Sequence, residues 1–158
     1  MEVRKETLNR CSVDGDRFEH LFMNKVISKG LKFTKWTKQD DWYKHIDCYV
    51  NGYGVDVKGN RYLDTIWLEY SNVNGNKGWL RGDAKYIAMH IEELDCFSIY
   101  NRSELLEFVE VNVKDKTTNK KDYLKFYTRE KWGKKDLICK VKYSYIKHLE
   151  INRIWYIK

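Results

Sequence analysis

Two short strand-forming runs, residues 46–51 (IDCYVN) and 54–59 (GVDVKG), are separated only by Gly52-Tyr53. So short a link closes as an antiparallel hairpin, since a parallel partner would require a crossover of a dozen residues or more. Alternation along the second run sends Val55 and Val57 to one face and Asp56 and Lys58 to the other. The valines must cover an apolar layer, so the reverse face holds a carboxylate and an ammonium rigidly side by side. Any fold for this chain has to be built around that hairpin.

The flanking sequence supplies the layer. Residues 14–30 (DGDRFEHLFMNKVISKG) read as a helix, with Asp14 or Asp16 as cap, Phe18, Leu21, Phe22 and Val26 as one stripe, and Gly30 as stop. A polar linker, TKWTKQDDWYK, carries two tryptophans into the hairpin. Residues 64–70 (DTIWLEY) are rich in β-branched and aromatic residues and read as a third strand. A Gly- and Asn-rich loop over 71–82 follows, and then a helix from Asp83 to about Glu93 with Asp83 as its cap. Residues 96–101 read as a fourth strand and 103–111 as a second capped helix. Weaker strand patterns lie at 123–127, 137–143 and 154–157. The order helix–strand–strand–strand–helix–strand predicts an α/β or α+β domain with a mixed central sheet. At 158 residues, without proline, repeats or low-complexity segments, the chain is read as a single domain over 1–158.

Charge is unevenly distributed. Residues 1–113 carry 16 Lys+Arg against 18 Asp+Glu, whereas residues 114–158 carry 14 against 5. The basic excess therefore lies in the last third and points to a polyanionic partner, although a Lys-rich solubilising surface has the same signature. Cys11, Cys48, Cys96 and Cys139 are scattered singly, without metal-ligand spacing, and are expected to be reduced and mostly buried. No signal-like or membrane-spanning apolar run is present in the sequence, so a cytoplasmic protein is expected, in a host cytoplasm if phage-encoded.

Asp56 and Lys58 suit phosphodiester hydrolysis. A carboxylate can bind a divalent metal that polarises a phosphate and acidifies a water, and an ammonium can orient that water or offset developing charge. A second carboxylate is needed, and Asp47 on the preceding strand can stand beside Asp56 across the hairpin. Glu19, at the edge of the helical stripe, can point towards the same spot, and Glu69 on the third strand is a further candidate. The Asp-x-Lys triplet alone is uninformative, since about three [DE]-x-K triplets are expected by chance. The second such triplet, Asp83-Ala84-Lys85, was expected to open a helix, where positions two apart do not share a face.

Phe18-Glu19, His45-Ile46-Asp47 and Val55-Asp56-Val57-Lys58-Gly59 together resemble the PD-(D/E)XK nuclease superfamily. The resemblance spans roughly residues 14–101, with Ile46 in place of the name-giving proline and Asp in place of the commoner Glu. It implies a restriction-endonuclease-like core in which Asp47 and Asp56 bind Mg²⁺ or Mn²⁺, Lys58 is catalytic, and Glu19 completes the site. The implied activity is metal-dependent cleavage of DNA, endonuclease favoured over exonuclease, with a junction resolvase also open. A homodimer is compatible with the resolvase and restriction-type readings. Candidate nucleic-acid contacts are Lys77, Trp79 and Arg81 in the loop and Lys131, Lys134 and Lys135 in the basic tail. Trp79 could equally anchor its loop by burial. The alternative reading is a nucleic-acid-binding or structural protein that keeps the fold without turnover. For Asp47, Asp56 and Lys58 that reading means an ordinary polar face with a cross-strand ion pair.

Overall fold

The structure, a computed structural model, describes residues 17–35, 44–60, 62–72, 74–128, 130–131 and 134–155. The expected caps Asp14 and Asp16, the linker tryptophans Trp36 and Trp42, Cys11, and residues 156–157 of the terminal strand lie outside the described residues. The first helix, α1, runs over residues 17–28 and ends as the sequence predicts. Gly30 adopts φ +75°, and the N–H of Leu31 donates to the Val26 carbonyl at 3.2 Å.

Six strands form the main sheet: β1 (Phe33–Lys35), β2 (Cys48–Val50), β3 (Tyr53–Asn60), β5 (Tyr86–Ile91), β6 (Cys96–Asn101) and β12 (Glu150–Trp155), adjacent in that order. All neighbours are antiparallel except β3 and β5, which run parallel, so the sheet is mixed as expected. β4 (Ile66–Ser71) leaves this sheet for a second one of four strands, ordered β4, β11 (Leu137–Val141), β8 (Phe126–Tyr127), β7 (Lys116–Thr117). β9 (Glu130–Lys131) and β10 (Lys134–Lys135) pair as a small separate hairpin. Helix α2 (Arg102–Asn112) follows β6 directly, and a short α3 (Tyr143–Ile146) precedes β12. The class is therefore mixed α+β, with few helices among the described residues.

One element is corrected. Residues 83–93 do not form a helix: β5 occupies Tyr86–Ile91 in the middle of the main sheet. Its side chains from Ile87 to Ile91 are all buried, because Ile87, Met89 and Ile91 face one core while Ala88 faces another. A strand covered on both faces reads as a continuous apolar run, and Asp83 ahead of such a run imitates a helix cap. The ground for setting aside Asp83-Ala84-Lys85 falls with that helix, but both charged residues of the triplet are solvent-exposed, unlike Asp56.

Two apolar cores flank the main sheet. On one side α1 places Phe22 and Val26 against Cys48, Val55, Val57, Ala88, Phe97 and Ile99. Phe18 lies so close over Gly59 that a Cβ there would come within 2.3 Å of its ring. On the other side Ile87, Met89, Ile91 and Tyr100 meet Leu105 and Val109 of α2, Ile66 and Leu68 of β4, and Cys139 and Val141 of β11. Because strand side chains alternate, Asp56 and Lys58 face this second layer, away from α1.

Candidate active site

The hairpin turn decides how the two aspartates meet. Asn51 and Gly52 both have positive φ, +51° and +83°, the geometry of a type I′ two-residue turn, for which Asn-Gly is the favoured pair. The turn is therefore one residue earlier than the Gly52-Tyr53 connection read from the sequence, and Val50 pairs with Tyr53 and Cys48 with Val55. The regular register ends with Cys48 opposite Val55; beyond it the strand is irregular at Asp47, whose side chain still comes beside that of Asp56. The Asp47 N–H donates to the Val55 carbonyl at 2.9 Å, and the Val57 N–H donates to Asp47 Oδ2 at 2.7 Å. The Asp47 side chain thus takes over a main-chain bond where the β2–β3 ladder ends, and this fixes its rotamer.

Asp56 is 1% exposed and Asp47 8%. Lys58 Nζ binds Asp56 Oδ1 at 2.9 Å and lies 5.4 Å from the centre of the Trp79 ring. Asp56 Oδ2 is buried without a hydrogen-bond partner. Burial raises the Asp56 carboxyl well above its usual range; Lys58 opposes this and the neighbouring Asp47 carboxylate reinforces it. Burial alone would lower the Lys58 ammonium, but Asp56 and Asp47 outweigh it and hold Lys58 above its ordinary value. Lys58 is therefore a fixed positive charge.

The remaining candidates are placed as follows. Glu19 sits on α1, which packs on the opposite face of the sheet, and its charge is felt at the buried Cys48 thiol. Among the described residues no group of three or more His, Cys, Asp or Glu side chains that could hold a metal ion is found. Glu69 is close enough to Lys58 to help hold its charge. Trp79 is 7% exposed and lies in the core, so burial accounts for it and leaves its ring unavailable to a base. Arg81 is stacked on Tyr70, and its guanidinium donates to the Tyr70 carbonyl and to Ser71 Oγ, both at 2.7 Å. It braces the loop from within. Lys77 is exposed and, with His45, Asn76 and Asp83, lines a cleft of about 450 Å³ that starts two residues from Asp47. Lys131, Lys134 and Lys135 lie on β9 and β10, but their side chains are outside the described residues.

Sequence reasoning missed what holds Lys58 in place. Gly78 lies against β4 so closely that a Cβ would come within 2.4 Å of the Glu69 carbonyl oxygen, and this delivers Trp79 over Lys58. The Arg102 guanidinium then ties the loop down by donating to the Leu80 and Ala84 carbonyls at 2.8 and 2.7 Å. The Gly-Trp pair was the visible sign; nothing in the sequence marked Arg102.

Two facing carboxylates, one with an unpartnered buried oxygen, fit a hard divalent cation. Mg²⁺ is commonly held by one or two protein carboxylates, with water and substrate phosphate completing its shell. A binding site of this kind relieves the orphaned Asp56 oxygen and the like-charge contact together.

No protein-family model matches the chain, and no curated protein matches its sequence. Among solved structures it is similar to a bacterial homing endonuclease, I-Ssp6803I, at 13% identity and a TM-score of 0.46, covering 61% of this chain and 72% of that one. At this identity and score the likeness assigns neither activity nor substrate to this chain. No helix among the described residues is long and apolar enough to cross a membrane.

Proposed function

We propose that the protein is a metal-dependent nuclease that hydrolyses phosphodiester bonds in DNA, with Mg²⁺ or Mn²⁺ held by Asp47 and Asp56. The observation that carries this reading is the cross-strand carboxylate pair with Lys58 bonded to one oxygen and the other oxygen unpartnered. When bound, the metal would supply Lewis-acid activation of the phosphate and a water of lowered pKa. Asp47 holds its carboxylate in place through the Val57 N–H. Asp56 contributes the second carboxylate from a rigid central strand. Lys58, fixed as an ammonium by Asp56 and by the Trp79 ring, offsets negative charge that develops on the phosphate in the transition state. Endonucleolytic cleavage is favoured over exonucleolytic, and a junction resolvase falls within the same chemistry.

Incubation of supercoiled plasmid with Mg²⁺ tests the reading. Wild type is expected to nick or linearise it, and Lys58→Ala to slow cleavage by about 10²–10³-fold, the usual cost of losing one electrostatic donor at a transition state. Equal rates for the two proteins would remove Lys58 from the site.

Glu19 is a second point of test. From its position on the α1 side of the sheet, Glu19→Gln is expected to keep cleavage within about threefold of wild type, a loss of under 1 kcal/mol in transition-state stabilisation. A loss comparable to that of Asp47→Asn would return Glu19 to the metal site.

A further inference from the structure

The outward face of the second sheet carries a group of aromatic and basic side chains that the two core layers do not use. On β4, Trp67 and Glu69 alternate with the buried Leu68; on β11, Lys140 alternates with the buried Cys139 and Val141. The register pairs Lys140 with Trp67 and, next to a register shift at Leu137, the buried Ile138 with Glu69, so Trp67 and Lys140 share one face. Tyr127 of β8 reaches the Trp67 ring, with centroids 5.9 Å apart. Tyr123 bridges the strands from the β8 side: the neighbouring Leu124 N–H donates to the Lys140 carbonyl, while the Tyr123 hydroxyl donates to the Asp64 carbonyl at 2.6 Å. Two ammonium groups, Lys140 and Lys142, lie 4.5 and 5.1 Å from the Tyr123 ring centre. None of the five aromatic and basic residues is fully buried.

This face lies within electrostatic reach of Lys58. Glu69 acts on the Lys58 charge, and Trp67 lies two residues further along the same strand, about 7 Å away at strand spacing. The lysines belong to the chain's basic last third, where 14 Lys+Arg stand against 5 Asp+Glu. Ammonium groups spaced two residues apart, beside half-exposed rings, match a strand that presents phosphates at regular intervals with bases between them.

We infer that this face is a nucleic-acid path: a single-stranded DNA segment leaving the carboxylates lies across it, its phosphates on Lys140 and Lys142 and a base against Trp67. The inference rests on the nuclease reading for its direction from the carboxylates, but binding itself requires no turnover. The fit is of charge and stacking, so recognition is indifferent to base sequence.

The test is fluorescence anisotropy of a fluorescein-labelled 16-nucleotide single strand in EDTA, where cleavage cannot contribute, repeated across a KCl series. Lys140→Gln/Lys142→Gln is expected to weaken binding at least tenfold and to reduce the slope of log Kd against log[KCl] by about 1.5, as for two lost phosphate contacts on a single strand. Trp67→Leu is expected to weaken binding about tenfold with the slope unchanged, as for one lost stacked base. Lys29→Gln/Lys32→Gln removes the same charge from exposed positions at and after the end of α1, and is expected to leave Kd within twofold. Unchanged affinity in both test variants, or an equal loss in the control pair, overturns the inference. If the binding pattern holds but wild type cleaves no DNA in Mg²⁺, the path stands and the nuclease reading falls. If cleavage is found but the pattern is absent, the path alone falls. Thermal midpoints within about 2 °C of wild type confirm that the variants are folded.

Discussion

Asp56→Asn is expected to lower plasmid cleavage by about 10³-fold or more and, in metal-free buffer at neutral pH, to raise the thermal midpoint. The first effect follows from removing one of two metal-facing carboxylates, at the upper end of what single electrostatic groups contribute. The second follows from where the carboxylate sits. Asp56 is buried, has one oxygen without a hydrogen bond, and faces Asp47. An amide in its place removes the like-charge contact and can donate to Asp47. An unsatisfied buried polar group costs about 1–3 kcal/mol, and each kcal/mol moves the midpoint of a domain of this size by roughly 2–4 °C. Lys58 loses a partner, which offsets part of the gain, but its side chain is 31% exposed and still feels the Asp47 charge. Active-site groups commonly carry such a stability cost.

The same burial sets a pH dependence. Because the folded protein raises the Asp56 carboxyl above its unfolded value of 3.8, the folded state favours the protonated form. The stability tied to that proton is fully present below the ordinary carboxyl range and is lost as pH rises towards the raised value. Metal-free wild type should therefore lose stability relative to Asp56→Asn as pH climbs from mild acid to neutral. Thermal melts of both proteins at several pH values measure the difference directly; parallel curves would contradict a raised Asp56.

Phe97→Ala is expected to be the most damaging single truncation on the α1 side of the sheet. Phe97 is fully buried on β6, where it packs edge-on to Phe22 of α1 at 5.2 Å and against His90 at 5.3 Å. Its loss opens a cavity between α1 and the sheet. Phe→Ala in such a position costs about 3–5 kcal/mol, or roughly 6–20 °C in the midpoint. Asp47, Asp56, Lys58 and Trp79 contact the opposite layer, so cleavage per folded molecule should persist well below the lowered midpoint. A variant that unfolds normally but cannot cleave at low temperature would mean that α1 and the carboxylate face are coupled.

How much of this was legible in the sequence depended on the range of the contacts involved. The α1 stripe, its Gly30 stop and the alternation of Val55, Asp56, Val57 and Lys58 are local patterns, and the structure reproduces each of them. The turn was misplaced by one residue because Asn51 was assigned to the strand, although Asn-Gly is the stronger signal. That residue matters: the observed register sets Cys48 opposite Val55, whereas pairing across Gly52-Tyr53 would have set it opposite Val57. β5 was misread because both of its faces are buried, which erases the alternation that identifies a strand. The second sheet was invisible for another reason. β4 finds its partner in β11, almost seventy residues later, and no local pattern announces a pairing so distant.

Calorimetric titration of Mn²⁺ into the metal-free protein tests the central claim most directly. Wild type should bind with a measurable heat, and Asp47→Asn and Asp56→Asn should each remove it while the folded structure is retained. Equal binding by all three proteins, or none by wild type with DNA binding intact, would contradict a carboxylate metal site and leave a nucleic-acid-binding protein without turnover.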